Sequence, residues 1–249
     1  MRANFIKMIS PIRFRESSVK KDPTDGRNPF DSDYSRIVLS SHFRRLQDKA
    51  QVFPLERSDF IRTRLTHSLE VACFARGLGL GVEKHLLKKK IITETEIGYI
   101  PTILEVAGLI HDIGNPPFGH FGEEIIKSYF QKIKSFSDDN LIKNAFDSLT
   151  DEQQADFLNF DGNVQGFRIL RKLGLAHDNF SYNLTMPILA TIIKYPYSSL
   201  EGNKKMSDGG KYSQKKYGYF TSEKAVKKNI SNPEYSVGDL SLDVGMSKT

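Results

Sequence analysis

The sequence predicts an all-α protein. Apolar residues recur at helical spacing in each strong segment, no convincing alternating strand is present, and Gly-Asn-Pro-Pro at 114–117 is a helix-ending signal. With 249 residues, 39% of them hydrophobic and 27% charged, the chain can bury a substantial core in one large domain or two small ones. A formal net charge of +6 and a pI near 9.2 point to an anionic partner such as a nucleotide, nucleic acid or phosphate. Cys73 is the only cysteine, which excludes an intramolecular disulfide and a Cys-based zinc site; among Val71, Ala72, Phe74 and Ala75 it reads as a small core residue. No run approaches the roughly 20 apolar residues of a membrane span. The N-terminus lacks the uninterrupted apolar region of a signal peptide. A cytoplasmic protein with no membrane contact is therefore expected.

Taken in order, residues 1–32 are a polar N-terminal arm that ends in Asp-Gly and Asn-Pro turn signals and is expected to carry little structure. One helical domain is expected over 33–230. Ile37, Val38, Phe43 and Leu46 recur at helical spacing, and Gln51-Val52-Phe53-Pro54 is extended because Phe53 precedes proline. The next helix begins near Asp59 to Arg64 and runs past Leu78. His67, Val71, Phe74 and Leu78 share one face of it, which places His67 towards the core. Gly77, Gly79 and Gly81 are expected to loosen its end, and Lys84 to Lys90 reads as a solvated cationic stretch.

A helix over Thr102 to Asp112 packs through Ile103, Val106, Ala107 and Ile110, with Gly108 leaving space beside His111 and Asp112. Gly114 and Pro116-Pro117 end it. Gly122 to Ile133 is an amphipathic helix with two glutamates in its first turn, where the helix dipole favours them. Residues 138–160 are helical in pieces, Asn163 to Leu173 and Leu184 to Ile193 are further helical segments, and 231–249 is a loose tail.

The stretch from His111 to Glu123 carries the chemistry. Two imidazoles and a carboxylate, His67, His111 and Asp112, suit a divalent metal such as Mn, Fe, Zn or Mg. A cation also offsets the cost of burying Asp112 among Leu109 and Ile113. A capped loop and a hydrogen-bonded core histidine would explain a lone His-Asp pair, but not one joined by a second helical His and a His-turn-His arrangement. His120 and Glu123 lie three apart on a helical face, a suitable proton-transfer pair in which the carboxylate orients the ring. Arg64, one turn before His67, offers a guanidinium fork to phosphate oxygens.

The blocks Gln51 to Arg57, Arg62 to Ser68, His111 to Glu123, Phe160 to Gly166, Asn183-Leu184-Thr185, Lys194-Tyr195-Pro196 and Tyr217 to Glu223 resemble the HD-domain deoxynucleoside triphosphate triphosphohydrolases, nearest to the bacterial dGTP-cleaving members. The similarity spans about Asp33 to Lys224. The resemblance implies an HD-domain phosphohydrolase fold that hydrolyses a dNTP, with dGTP foremost, to deoxynucleoside and inorganic triphosphate by attack of a metal-bound water on the α-phosphorus. It implies His67, His111 and Asp112 as metal ligands, and His120 and Glu123 as the catalytic pair. Gln51 falls at the deoxyribose, with Arg64, Asn163 and Lys194 around the triphosphate. The implied cofactor is Mn or Mg, with Fe, Zn or Co as alternatives. The implied partners are the dNTP, further copies of the chain (a homo-oligomer, hexameric by family pattern) and, in some members, single-stranded DNA.

One departure accompanies this resemblance. The family's fourth metal ligand is an Asp in an Ala-Asp-Asp helix after the block that ends here at Glu223-Lys224. Asp239 and Asp243 do not match it, so the chain reads as an N-terminal portion, truncated before that helix. The alternative is a catalytically silent module that binds nucleotide or single-stranded DNA through its basic surface. A phosphohydrolase acting on monophosphates or cyclic nucleotides fits the Gln51-to-His67 and Asn163-to-Phe220 blocks less well.

Overall fold

A computed structural model describes residues 2–16, 22, 24–49, 60–137, 140–175, 180–202, 209 and 211–231. Among these, the chain forms α1 (Arg2–Met8), α2 (Pro29–Val38), α3 (Ser41–Arg44), α4 (Arg64–Lys88), α5 (Tyr99–Ile110), α6 (His120–Ser135), α7 (Leu141–Asp147), α8 (Asp151–Leu158), α9 (Gly162–Arg168), α10 (Met186–Ile192) and α11 (Lys224–Ser231). A π-type turn, Ile169–Leu173, extends α9. The all-α expectation holds: no described residue lies in a β-strand, and an isolated bridge joins Arg13 to Thr185. No described helix is long and apolar enough to cross a membrane.

The molecule is built around α5. Ile100, Ile103, Val106, Leu109 and Ile110 are all buried, and a helix apolar on so many sides has to be surrounded. Helices α4, α2 and α10 surround it. Helix α4 runs antiparallel to α5 and approaches it closely because the residues between them are small. A Cβ on Gly108 would stand 2.5 Å from the Ala72 Cα, and one on Gly79 would stand 2.7 Å from the Pro101 Cα.

This packing corrects the sequence reading of α4. Its buried residues are Arg64, Ser68, Ala72, Gly79 and Glu83, a small and polar set. Of the expected stripe, Phe74 and Leu78 turn outward instead, 77% and 71% exposed, while His67 and Val71 are half-buried; Cys73 is exposed rather than in the core. Short side chains win the inner face because close backbone approach to α5 leaves no room for larger ones. The glycines lie within the helix, which continues to Lys88, so much of the cationic stretch forms its last turns. There the helix dipole favours positive charge.

The N-terminal segment is likewise more ordered than its composition predicts. It forms α1, and Ile9 and Phe14 join the main core. Arg13 donates to the fully buried Asp33 at 2.5 Å and to the Asn183 carbonyl at 2.6 Å, while Asp33 also accepts the Thr185 amide at 2.9 Å. A buried carboxylate needs such partners, and here they tie the N-terminus, α2 and the approach to α10 together.

The helices expected over 33–49, 138–160, 163–173 and 184–193 are present as α2 and α3, α7 and α8, α9 and α10. Phe130 of α6 packs against Phe157 of α8, ring centroids 4.7 Å apart. Gln51 to Pro54, the loop at 176–179 and the tail beyond 231 lie outside the described residues.

Candidate metal centre and acid–base pair

Three side chains, one from α4 and two from the turn after α5, converge. One ligand atom from each of His67, His111 and Asp112 lies within 4.8 Å of the others. His67 comes from the first turns of α4; His111 and Asp112 follow α5 directly. The two rings stand edge to face, centroids 5.2 Å apart.

The tautomer of His111 follows from its neighbour. Nδ1 is 2.7 Å from the Gly108 carbonyl oxygen, which only accepts, so Nδ1 carries the hydrogen and Nε2 presents its lone pair. Nε2 is 3.6 Å from Asp112 Oδ1. Two ligands at about 2.1 Å from one cation stand roughly 3.0–3.4 Å apart, so this donor set fits a divalent ion with small adjustment.

Asp112 is buried and held on both oxygens. Arg64 Nη1 donates to Oδ2 at 2.7 Å, and Asn115 Nδ2 donates to Oδ1 at 2.7 Å. Arg64 is itself buried, and its guanidinium lies against Gly119, where a Cβ would come within 2.4 Å of Nη2. Gly119 also has a φ of +55°, which L side chains rarely adopt. Close approach and backbone conformation therefore both demand glycine. The turn through Phe118 (φ +63°) and Gly119 opens α6 and presents His120 at its first position.

His120 Nδ1 lies 2.8 Å from Glu123 Oε2, and the other Glu123 oxygen accepts the Gly162 amide at 2.8 Å. The His120 side chain is 84% exposed and that of Glu123 only 4%, so a fixed carboxylate orients an accessible imidazole. With Glu123 ionised, Nδ1 donates and Nε2 is free to take a proton. Gly162 links this pair to the metal cluster: a Cβ there would lie 2.5 Å from Asn115 Oδ1 and 2.8 Å from Glu123 Oε1.

Asn163 and Lys194 also meet, with Lys194 Nζ donating to Asn163 Oδ1 at 2.9 Å. Asn163 is placed by Asp161, which caps α9 by accepting the Asn163 amide at 2.9 Å and pairs with Lys216 at 2.7 Å. Burial works to raise the Asp161 carboxyl, but Lys216 and the Asn163 groups outweigh it and hold it below the usual aspartate value. Burial, followed by Arg64 and Arg45, depresses the Lys49 ammonium, which donates to the Asn115 carbonyl at 2.6 Å.

Of the residues singled out in the sequence, the structure brings together His67, His111, Asp112 and Arg64 in one group. It joins His120 to Glu123 in a second and Asn163 to Lys194 in a third. Gln51 is outside the described residues. Sequence reasoning missed Lys49, Asn115, Asp161 and Lys216. Asp161 had a readable signal, since a residue of its type before a helical run is a common N-cap. Lys49 acts on a backbone carbonyl, for which no side-chain pattern exists.

An HD-domain family model matches residues 64–145, from α4 into α7, and so includes all five of the metal-cluster and acid–base residues. A deoxyguanosinetriphosphate triphosphohydrolase-like protein of Listeria innocua is 44% identical over 235 residues, covering 90% of this chain and 48% of the relative. One from Synechocystis is 45% identical over 213 residues, covering 85% and 47%. A deoxyguanosinetriphosphate triphosphohydrolase of Enterobacter is 35% identical over 234 residues, covering 86% and 45%. The chain spans about half the length of these relatives. Over most of its own length it is similar to proteins of this description.

Proposed function

We propose that this HD-domain chain supplies the metal-holding and acid–base groups of a deoxynucleoside triphosphate triphosphohydrolase, with residues 33–230 as the helical catalytic domain. The observation that carries the reading is the convergence of His67, His111 and Asp112 within 4.8 Å, a donor set suited to a divalent cation. Such a cation supplies Lewis acidity and lowers the pKa of a ligating water. The names of the relatives point to dGTP as substrate.

The chain's own groups then have distinct tasks. Glu123, fixed by the Gly162 amide, holds His120 so that Nε2 exchanges a proton with the attacking or leaving oxygen. Lys194 and Asn163 meet the triphosphate, where positive charge and hydrogen bonds stabilise phosphoryl oxygens. Arg64 meets the triphosphate as well and, through Nη1, orients Asp112, and Gln51 contacts the deoxyribose. Mn or Mg as the cation, assembly into a homo-oligomer, a cytoplasmic location and contact with single-stranded DNA through basic surface belong to the same reading.

The test is product analysis with the protein of the full reading frame, dGTP and Mn or Mg. Inorganic triphosphate is the expected product, and His111→Ala abolishes its release. His120→Ala lowers kcat by roughly 10²–10⁴ while leaving metal binding in place. Release of pyrophosphate or orthophosphate would overturn the assigned reaction.

A further inference from the structure

Two residues hold Asp112, and both of them lean on a third. Arg64 and Asn115 each donate to one Asp112 oxygen at 2.7 Å. Arg64 is the first residue of α4, so its amide has no acceptor inside the helix, and the Lys49 carbonyl takes it at 2.9 Å. The Lys49 ammonium in turn donates to the Asn115 carbonyl at 2.6 Å. Backbone and side chain of one residue thus close a ring that runs from Lys49 through Arg64, Asp112 and Asn115 and back to Lys49.

The ring is anchored in the core. Lys49 follows the 3-10 turn Arg45–Asp48, and its own amide donates at 3.3 Å to the carbonyl of Leu46, a fully buried member of the main core. Asn115 lies between α5 and α6, outside any helical ladder, where its amide reaches only back to the Asp112 carbonyl at 3.2 Å. A cationic donor on the Asn115 carbonyl makes a bond stronger than a neutral one. His67 is one turn along α4 from Arg64, so a displaced helix start would carry that imidazole with it.

We propose, resting on the metal-holding reading of His67, His111 and Asp112, that Lys49 is a positioning residue of the metal centre. It fixes the start of α4 against the turn after α5, so that Asp112 keeps Oδ1 turned towards His111 and His67 stays opposite them. Groups that only orient ligands contribute about 10–100-fold to metal affinity. The sign separates this role from plain electrostatics. Asp112 is among the charges that act on the Lys49 ammonium, so the two are near neighbours. Removing a positive charge so close to a divalent ion would by itself tighten metal binding. Losing the tether would weaken it.

The experiment is calorimetric titration with Mn(II) of the protein of the full reading frame and its Lys49→Met, Lys49→Gln and Lys49→Arg variants. Lys49→Met keeps the length of the chain and the backbone carbonyl but no donor, and should lower Mn(II) affinity about ten-fold or more. Lys49→Gln, with a shorter neutral donor, should weaken binding by less, and Lys49→Arg should recover most of it. Lys49 is half-buried, so all three variants should keep the circular dichroism of the original. Urea denaturation in EDTA gives their stability without metal. The proposal is overturned if the Met and Gln variants bind Mn(II) as tightly as the original or more tightly, whatever their stability in EDTA, or if Lys49→Arg binds no better than Lys49→Met. An original protein that takes up no Mn(II) would overturn the metal reading itself, and this proposal with it; equal affinities would overturn this proposal alone.

Discussion

At one end of the α4–α5 pair, Glu83 accepts the Gly98 amide at 2.8 Å; at the other, Arg64 donates to Asp112 at 2.7 Å. Both are buried charges of α4 set against a terminus of α5. At the Glu83 end, a carboxylate meets the start of a helix, where exposed amides and the dipole both favour negative charge. At the Arg64 end, the partner is a side chain that still turns Oδ1 towards His111 Nε2. A buried charge answered by backbone is a cap. One whose partner is shared with two imidazoles is poised for a cation.

The largest expected effect separates the two ends. Arg64→Ala leaves Asp112 buried without its cation, and losing one partner of a buried pair costs about 3–5 kcal/mol. Urea denaturation in EDTA measures this. Mn(II) should then stabilise the variant more than it stabilises the original protein, because the ion answers the orphaned carboxylate. An equal Mn(II) effect on both proteins would show that Arg64 and the metal cluster are not coupled.

Between the ends, Gly108→Ala places a methyl group 2.5 Å from the Ala72 Cα. Backbone cannot rotate away as a side chain can, so the helices must part, at a cost of about 1–3 kcal/mol. Because this shifts His111 and Asp112 relative to His67, Mn(II) affinity measured by titration should fall as well. Glu83→Gln is milder, about 1 kcal/mol, since it keeps an acceptor for Gly98 and loses only the charge. Its Mn(II) affinity should match that of the original protein. A change there would erase the distinction between the two ends.

The same pair shows what could be read in advance. Helix α5 was legible because its buried positions are apolar, and hydrophobic periodicity reports such burial. Helix α4 misled because Ser68, Ala72 and Gly79 are selected for size, while Phe74 and Leu78 face outward. Cys73 was misplaced with them, since its neighbours were its only guide. Ion-paired packing was invisible for a related reason: Arg13 and Asp33 lie far in sequence from Asn183 and Thr185, and only the folded chain brings them together. In the site, the unusual chemistry of His111-Asp112 and His120 stood out. The supporting roles of Asn115 and Lys49 did not, because they depend on where a backbone carbonyl and a carboxylate end up.

Asp161 offers the gentlest test, because it could belong with either end. It caps α9 as Glu83 caps α5, yet it also pairs with Lys216 and places Asn163. Burial opposes its ionised form, but Lys216 and the Asn163 groups prevail, so its folded pKa lies below the unfolded one. The unfolded chain therefore takes up the proton first as pH falls. The stability from Asp161 is present above the usual aspartate range and is lost as pH drops through the folded value. Lys216 mirrors this: burial opposes its charge, Asp161 prevails, and its raised pKa gives stability that disappears as pH climbs past the usual lysine range. Asp161→Asn keeps a capping side chain while removing the charge. Its stability measured against pH should lose the acid-side slope that Asp161 gives the original. If turnover and Mn(II) affinity stay as they were, Asp161 is a cap of the Glu83 kind. If turnover falls while stability holds, its service is to Asn163 and the substrate, and it belongs with the metal end.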